Sequence, residues 1–349
     1  MKRLIPFVIA ALSLSSCLKE DAWCPTMRVS FKMEDQFLAG DYDSRVRNDV
    51  LLYIFNEDKM VYSRTIPYAA VSGGKYYDIR KTDEMLGGNL KLVAWAVRPD
   101  ETETGTDTPL TVHHAYQHPE YAAGSDYQSH YMAHTPHTAA GFHAPHHHER
   151  YMGTLTVTQE EMTDEASRHD VIMTPAPGRI AVNIHDPHGR LAVLEADGGS
   201  VGQPYVVIEG GMTQMALGDP DLGRTGRVGS GSASRVRANL NAHDATSQTD
   251  DIVFASGMVG VLPSAANTPS LTAHVFVQQD GLDNEIATLT ITADNTAQHF
   301  TALHSGDYIQ FDFDLPETIF EPDPTGTQFY VTINGWVLRI VGNGNGQDL

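Results

Sequence analysis

Val50-Leu-Leu-Tyr-Ile-Phe-Asn56, then Glu57-Asp58-Lys59, then Met60-Val-Tyr-Ser-Arg-Thr-Ile66: two runs rich in β-branched and aromatic residues flank a short charged break. Such runs read as strands, and the polar interruption between them has the length of a hairpin connection. The same grammar recurs outward in both directions. Towards the N-terminus Met27–Met33 alternates, with Met27, Val29, Phe31 and Met33 on one face; beyond the hairpin follow Leu90–Val97, Met152–Val157 and Asp170–Thr174. The second half offers Arg179–His185, Tyr205–Glu209, Leu271–Val277, Glu285–Thr292, Tyr308–Leu315 and Phe329–Val341. Asp280-Gly281 with Asp283-Asn284 marks another hairpin. Helical signals are few and short: Thr82–Leu86, stopped by Gly87-Gly88, and Thr158–Arg168, with a Thr cap and early acids. The class is all-β, an antiparallel β-sandwich with few short helices. In the last run the apolar phase slips by one residue at Gly335, which predicts a β-bulge within a single strand. Trp95 and Trp336 are expected in the cores of two sheets.

The chain is 349 residues long, room for more than one domain, and a boundary is expected near Thr174-Pro-Ala-Pro-Gly178. That makes 27–174 an N-terminal sandwich and 175–349 a C-terminal one. Long breaker-rich stretches interrupt both: 99–120 and 122–149 in the first half, 218–251 in the second. Connections of this length are functional or mobile. With 23 Lys and Arg against 44 Asp and Glu, the formal charge is −21. Such a surface repels phosphate backbones and anionic lipid heads, which argues against nucleic-acid binding and requires any membrane contact to come from an anchor.

An anchor is written at the start. Lys2 and Arg3 precede the apolar run Ile5–Leu12, too short to span a bilayer, so residues 1–16 read as a signal peptide. Its end, Leu14-Ser15-Ser16-Cys17, resembles the lipobox of bacterial lipoproteins, which implies acylation of Cys17 and a lipidated tether over residues 17–26. Lys19-Glu20-Asp21 looks like the signal that sends some such proteins to the outer face of the outer membrane. The only other cysteine is Cys24, so no intramolecular disulfide is expected and stability must come from core burial.

Ten of the 17 histidines fall between His113 and His148. Imidazoles at this density bind zinc, nickel or copper, and His130, His134, His146, His147 and His148 are the candidate ligands. Pro119, Pro136, Gly141 and Pro145 oppose a helix that would bring His130 and His134 onto one face. No cysteine accompanies them, so adventitious zinc or nickel binding by a solvated loop is the simpler reading, with a gain of charge below about pH 6.5 as a further property. Tyr116, Tyr121, Tyr127, Tyr131 and Phe142 interleave the histidines, as a ligand-binding loop would require. Gly198-Gly-Ser200-Val-Gly202 matches the pattern of a nucleophile elbow, but Gln203-Pro204 opens a strand where a helix is needed. Gly342–Gly346 reads as a tail, and Asp41-Tyr42-Asp43 is too short for a calcium loop. No catalytic residues are assigned.

Taken in order, the lipobox, Trp23-Cys24-Pro25 leading into Met27–Phe31, Asp49–Phe55 with its acidic turn, Leu90-Lys-Leu-Val-Ala-Trp95-Ala, Val171–Val182 and Phe329–Trp336 resemble the FimB/Mfa2 family of fimbrial anchor lipoproteins. The chain departs from it at Pro175-Ala-Pro, where a basic residue is usual, and in the His-rich loop. The resemblance implies two tandem transthyretin-like β-sandwich domains on the cell surface, held in the outer membrane by lipid on Cys17. It also implies fimbrial stalk subunits as partners, associated by strand addition. No cofactor beyond the covalent lipid is implied. The alternatives are a surface glycan- or host-ligand-binding lipoprotein of the same design, a fimbrial tip or accessory subunit, and a secreted hydrolase or metalloprotein using the His-rich loop.

Overall fold

A computed structural model describes residues 26–34, 39–41, 49–97, 116–117, 123–127, 131–134, 137–145, 151–163, 166–186, 189, 202–216, 233–243, 252–264, 270–315, 328–341 and 347–348. Residues 1–16, read from the sequence as a signal peptide, and Cys17, Lys19-Glu20-Asp21 and Cys24 lie outside them. The chain divides into two compact units, the first made of Met1–Val97, Ala122–Asp126 and Gly153–Met173, the second of Arg98–Tyr121, Tyr127–Met152 and Thr174–Leu349.

Among the described residues, ten strands precede residue 176: β1 (Thr26–Glu34), β2 (Ala39–Asp41), β3 (Asp49–Asn56), β4 (Lys59–Ile66), β5 (Tyr77–Arg80), β6 (Leu90–Val97), β7 (Tyr116–Gln117), β8 (Tyr131–His134), β9 (Tyr151–Val157) and β10 (Ala166–Pro175). Thirteen follow: β11 (Gly178–Asp186), β12 (Tyr205–Met212), β13 (Gln214–Ala216), β14 (Ala233–Asn239), β15 (Asn241–His243), β16 (Ile252–Ala255), β17 (Val259–Val261), β18 (Ser270–Gln279), β19 (Leu282–Thr292), β20 (Tyr308–Asp314), β21 (Gln328–Ile333), β22 (Trp336–Val341) and β23 (Gln347–Asp348). The all-β class is as the sequence predicts.

In the first unit the order is β2-β1-β10-β9-β6-β3-β4, with β5 on β1. The β3–β4 hairpin forms as read, with Asn56 opposite Lys59 and Glu57 at positive φ. Met27, Val29, Phe31 and Met33 of β1 are all buried, whereas β3 buries Leu52, Tyr53, Ile54 and Phe55 in succession. The first pattern is a strand covered on one face and the second a strand covered on both. In the second unit two sheets, β15-β16-β11-β20-β21-β22-β23 and β14-β12-β18-β19, share one core. Ile180, Val182 and Ile184 of β11 and Phe311 of β20 meet Val206 and Ile208 of β12 and Leu271, Val275 and Val277 of β18 in it. Two sheets burying alternate residues against each other is the sandwich arrangement.

Several local expectations are corrected. Sheet pairing is not purely antiparallel: β1 runs parallel to β10, and β11 parallel to β20. These are non-local pairings that no turn signal announces. Phe329–Val341 is two strands rather than one bulged strand. Ile333 faces Trp336 across the two-residue loop Asn334-Gly335, with φ of 49° and 94°. Asn-Gly supplies the two positive φ values of a type I′ hairpin, which accounts for the slip in apolar phase without a bulge. Trp336 is therefore at a hairpin tip, 60% exposed and stacked on His299 at 4.9 Å, while Trp95 is buried as expected.

The helix expected over Thr158–Arg168 is confined to Gln159–Thr163. Thr158 and Glu161 cap it reciprocally, the Thr158 N–H donating to Glu161 Oε2 and the Glu161 N–H to Thr158 Oγ1. Ladder pairing with β1 takes over from Ala166. Within the stretch read as the 218–251 loop, β14 and β15 form; Ser234, Val236 and Ala238 alternate inward. The His-rich stretch, placed in the first half by sequence order, contributes β8 to the second unit, where it pairs with β13. Its backbone groups find their partners there.

A Cβ on Gly211 would run into the Leu262 carbonyl oxygen, a rigid neighbour. Gly211→Ala is expected to destabilise the protein by about 1–3 kcal/mol, read as a lower urea midpoint. Gly335→Ala should cost about 1–2 kcal/mol and Gly335→Asn less, because Asn tolerates the left-handed region; equal losses in the two variants would contradict the type I′ turn.

Candidate functional site

The described part of the His-rich stretch builds on β8. Its last residue, His134, donates its backbone N–H to the Thr213 carbonyl at 3.0 Å, and its buried Nε2 accepts the Leu262 N–H at 3.3 Å. With Nε2 accepting, a neutral ring carries its proton on Nδ1. Burial pushes this imidazole down to about 3, and the neighbouring His143 adds to the shift. Proposed from sequence as a metal ligand, His134 instead spends Nε2 on the backbone. His130, His146, His147 and His148 lie outside the described residues. Among the described residues no group of three His, Cys, Asp or Glu is placed to hold a metal ion.

After β8 the chain makes a compact turn. The His137 N–H bonds to the Phe142 carbonyl at 2.9 Å, and the Ala139 N–H to His137 Nδ1 at 2.9 Å, with Gly141 at φ 86°. The turn delivers Phe142 and His143 to the edge of β14. There His143 acts as a one-residue parallel strand opposite Val236. Its N–H donates to the Arg235 carbonyl at 2.7 Å, its carbonyl accepts the Arg237 N–H at 3.1 Å, and its Nδ1 accepts the Arg235 N–H at 3.2 Å. Burial lowers the pKa of both His137 and His143.

Above this bridge the side chains form a row. The guanidinium groups of Arg235 and Arg237 lie 4.8 and 5.6 Å from the centre of the Phe142 ring. Arg237 also covers Tyr205 at 3.6 Å, and Tyr205 stacks on Phe276 at 5.0 Å. Arg235 pairs with Glu209 at 2.6 Å, and His274 meets Glu285 at 2.7 Å. Burial pushes the Tyr205 hydroxyl up to about 12, helped by its hydrogen bond to Asp283. Arg235, Arg237 and His143 were not singled out from the sequence. The signal was present in the alternation of Arg235 and Arg237 with Val236 and Ala238, but Arg and Asn made it a weak strand.

Sheet edges are the other feature that bears on association. In the first unit, the edge of β4 carries residues 124–126: the Met60 N–H donates to the Ser125 carbonyl, Gly124 donates back to Met60, and Lys59 pairs with Asp126 at 3.1 Å. In the second unit His143 occupies part of the β14 edge, and β19, eleven residues long, forms the opposite edge of that sheet. Gly202, the one described residue of the Gly198–Gly202 pattern, donates to the Gln278 carbonyl at 2.8 Å, as a residue leading into a strand does.

His134 also sets a pH dependence. An unfolded His titrates near 6.5, so between 6.5 and about 3 the unfolded chain binds a proton that the folded chain refuses. The stability this group allows is complete above 6.5 and falls as pH drops towards 3. His137, His143 and His169 act in the same direction. His134→Gln should reduce the slope of unfolding free energy against pH, between 6 and 4, by about 1.4 kcal/mol per pH unit. An unchanged slope in urea titrations would show that His134 does not hold this neutral buried state.

The family profile of fimbrillin-A associated anchor proteins Mfa1 and Mfa2 matches residues 20–342. No curated protein matches the chain. Among solved structures, the chain is similar to a candidate adhesin from Bacteroides thetaiotaomicron, with 14% identity, TM-score 0.55, and coverage of 91% of this chain and 98% of that one. A candidate polysaccharide-binding protein from the same organism shows 13% identity, TM-score 0.56, and coverage of 90% and 98%. The fimbrial anchor protein Mfa2 from Porphyromonas gingivalis shows 11% identity, TM-score 0.50, and coverage of 89% and 98%. Similarity at these identities speaks for the fold, and the profile match over most of the chain speaks for the family: the chain belongs to the fimbrillin-A associated anchor proteins.

Proposed function

We propose that this protein is a non-enzymatic surface lipoprotein that anchors fimbriae to the outer membrane. The family match from residue 20 to residue 342 carries the reading. The lipobox at Leu14–Cys17 supports the attachment: acyl chains on Cys17 hold one end of the molecule, and several chains bind a membrane stably where a single one binds marginally. The other end holds fimbrial stalk subunits by strand addition, in which main-chain hydrogen bonds give affinity and side-chain pockets give register. The long sheet edges support this half of the reading. The role is mechanical, and no cofactor beyond the lipid is invoked; zinc or nickel taken up by the His-rich stretch is adventitious.

A second reading, a glycan- or host-ligand-binding surface protein or a fimbrial tip or accessory subunit, draws support from the aromatic row of Phe142, Tyr205 and Phe276. Burial counts against it, because Tyr205 is 3% exposed beneath Arg237 and presents little ring face to a sugar.

The test deletes the gene in its native host and restores it either intact or as Cys17→Ala. Fimbriae on cells are then counted against those shed into the medium. Shed or abnormally long fimbriae are expected without the intact protein. Unchanged fimbriae in both strains would refute anchoring and leave the ligand-binding reading.

A further inference from the structure

The turn at residues 137–143 does more to β14 than pack beside it. The main-chain groups of Arg235 and Arg237 point away from β12, and these are the groups His143 takes. An edge strand left bare is a template for any extended chain, and native proteins blunt such edges. Among the described residues the blunting is one residue wide on a strand of seven. The contact also displays what the edge accepts: an extended residue beside β14, preceded by an aromatic ring that lies against two guanidinium groups. In a chain of net charge −21, this edge carries two closely spaced guanidinium groups, Arg235 paired with Glu209 and Arg237 lying over Phe142 and Tyr205.

We propose that the β14 edge is a strand acceptor for an extended segment of a fimbrial subunit, one carrying an aromatic residue flanked by carboxylates, and that Phe142-His143 is a resident guard that the incoming strand displaces. A donated strand running along Ala233–Asn239 would pair with outward main-chain groups at every second residue, where the guard reaches only those of Arg235 and Arg237. Its aromatic residue would inherit the place of Phe142, and its carboxylates would meet Arg237 and compete with Glu209 for Arg235. The guard keeps the edge from pairing with unintended strands until that segment arrives. The identity of the partner rests on the anchor reading; the acceptor edge itself rests on the geometry of β14.

The experiment uses the full chain, a guard-weakened variant combining Phe142→Ala with His143→Gly, and the same variant carrying Arg235→Glu and Arg237→Glu. Amide hydrogen exchange over residues 233–239, corrected for intrinsic rates, is read with exchange over β18 and β19 as the control for folding. The probe for capture is fimbriae sheared from the deletion strain. The guard-weakened variant is expected to exchange at least tenfold faster at Arg235 and Arg237, with β18 and β19 unchanged, and to capture more fimbriae than the full chain. The charge-reversed variant should lose that gain. Unchanged exchange at Arg235 and Arg237 would overturn the guard, and faster exchange without increased capture would overturn the acceptor. Either failure, alongside a Cys17→Ala strain that still sheds fimbriae, removes the β14 assignment and leaves anchoring intact.

Discussion

The parallel pairing of β11 with β20 is the contact on which the second unit depends. It aligns Arg179–His185 with Tyr308–Asp314 over seven successive positions, and both strands send alternate residues into the shared core. β11 also receives β16 and β17 on its other side, so it is the strand to which the rest of its sheet is added. Its start is pinned by the Arg179 N–H on the Asp307 carbonyl and by the Arg179 guanidinium on the Gly306 carbonyl. A parallel neighbour cannot be reached by a tight turn, so the chain between them must leave the sheet and return. That excursion supplies β12, β14, β18 and β19, the four strands of the facing sheet.

A sandwich built this way must end its sheets somewhere, and the cost of an unmatched main-chain group shapes how. Short pieces of the His-rich stretch and its surroundings are used for it, residues 124–126 against β4 and His143 against β14. The described histidines of this region, His134, His137 and His143, therefore act through backbone and ring hydrogen bonds, and their depressed basicity follows from burial, to which Arg237 adds at His137 and His143 adds at His134. A dense set of imidazoles in a sequence suggests metal chemistry. In the fold, His134, His137 and His143 each give a ring nitrogen to a backbone N–H.

Much of the architecture was legible because burial on one face of a strand leaves a period of two in the residues themselves. Met27, Val29, Phe31 and Met33, the β3–β4 hairpin, and the inward rows of β18 and β20 are written that way. Legibility failed where turn chemistry was outvoted by apolar phase, as at Asn334-Gly335, and where a strand is made of Arg, Ala and Asn, as β14 is. Trp336 shows the same limit: its side chain shares parity with buried Leu338 and Ile340, but its place at the hairpin tip leaves it exposed.

The amino-acid sequence by itself determined the β class, the position of the longer strands, an acidity that disfavours general nucleic-acid binding, and the family resemblance that the profile match bears out. These are local or additive properties, carried by each residue's own volume, branching and charge. Which strands run parallel, which histidine is buried neutral, and which sheet edge the chain itself covers were decided only in three dimensions. Each depends on main-chain partners far apart in the chain, such as His143 beside Val236 or Leu262 beside His134. A hydrogen bond between distant backbone groups leaves no mark on the identity of the residues that make it.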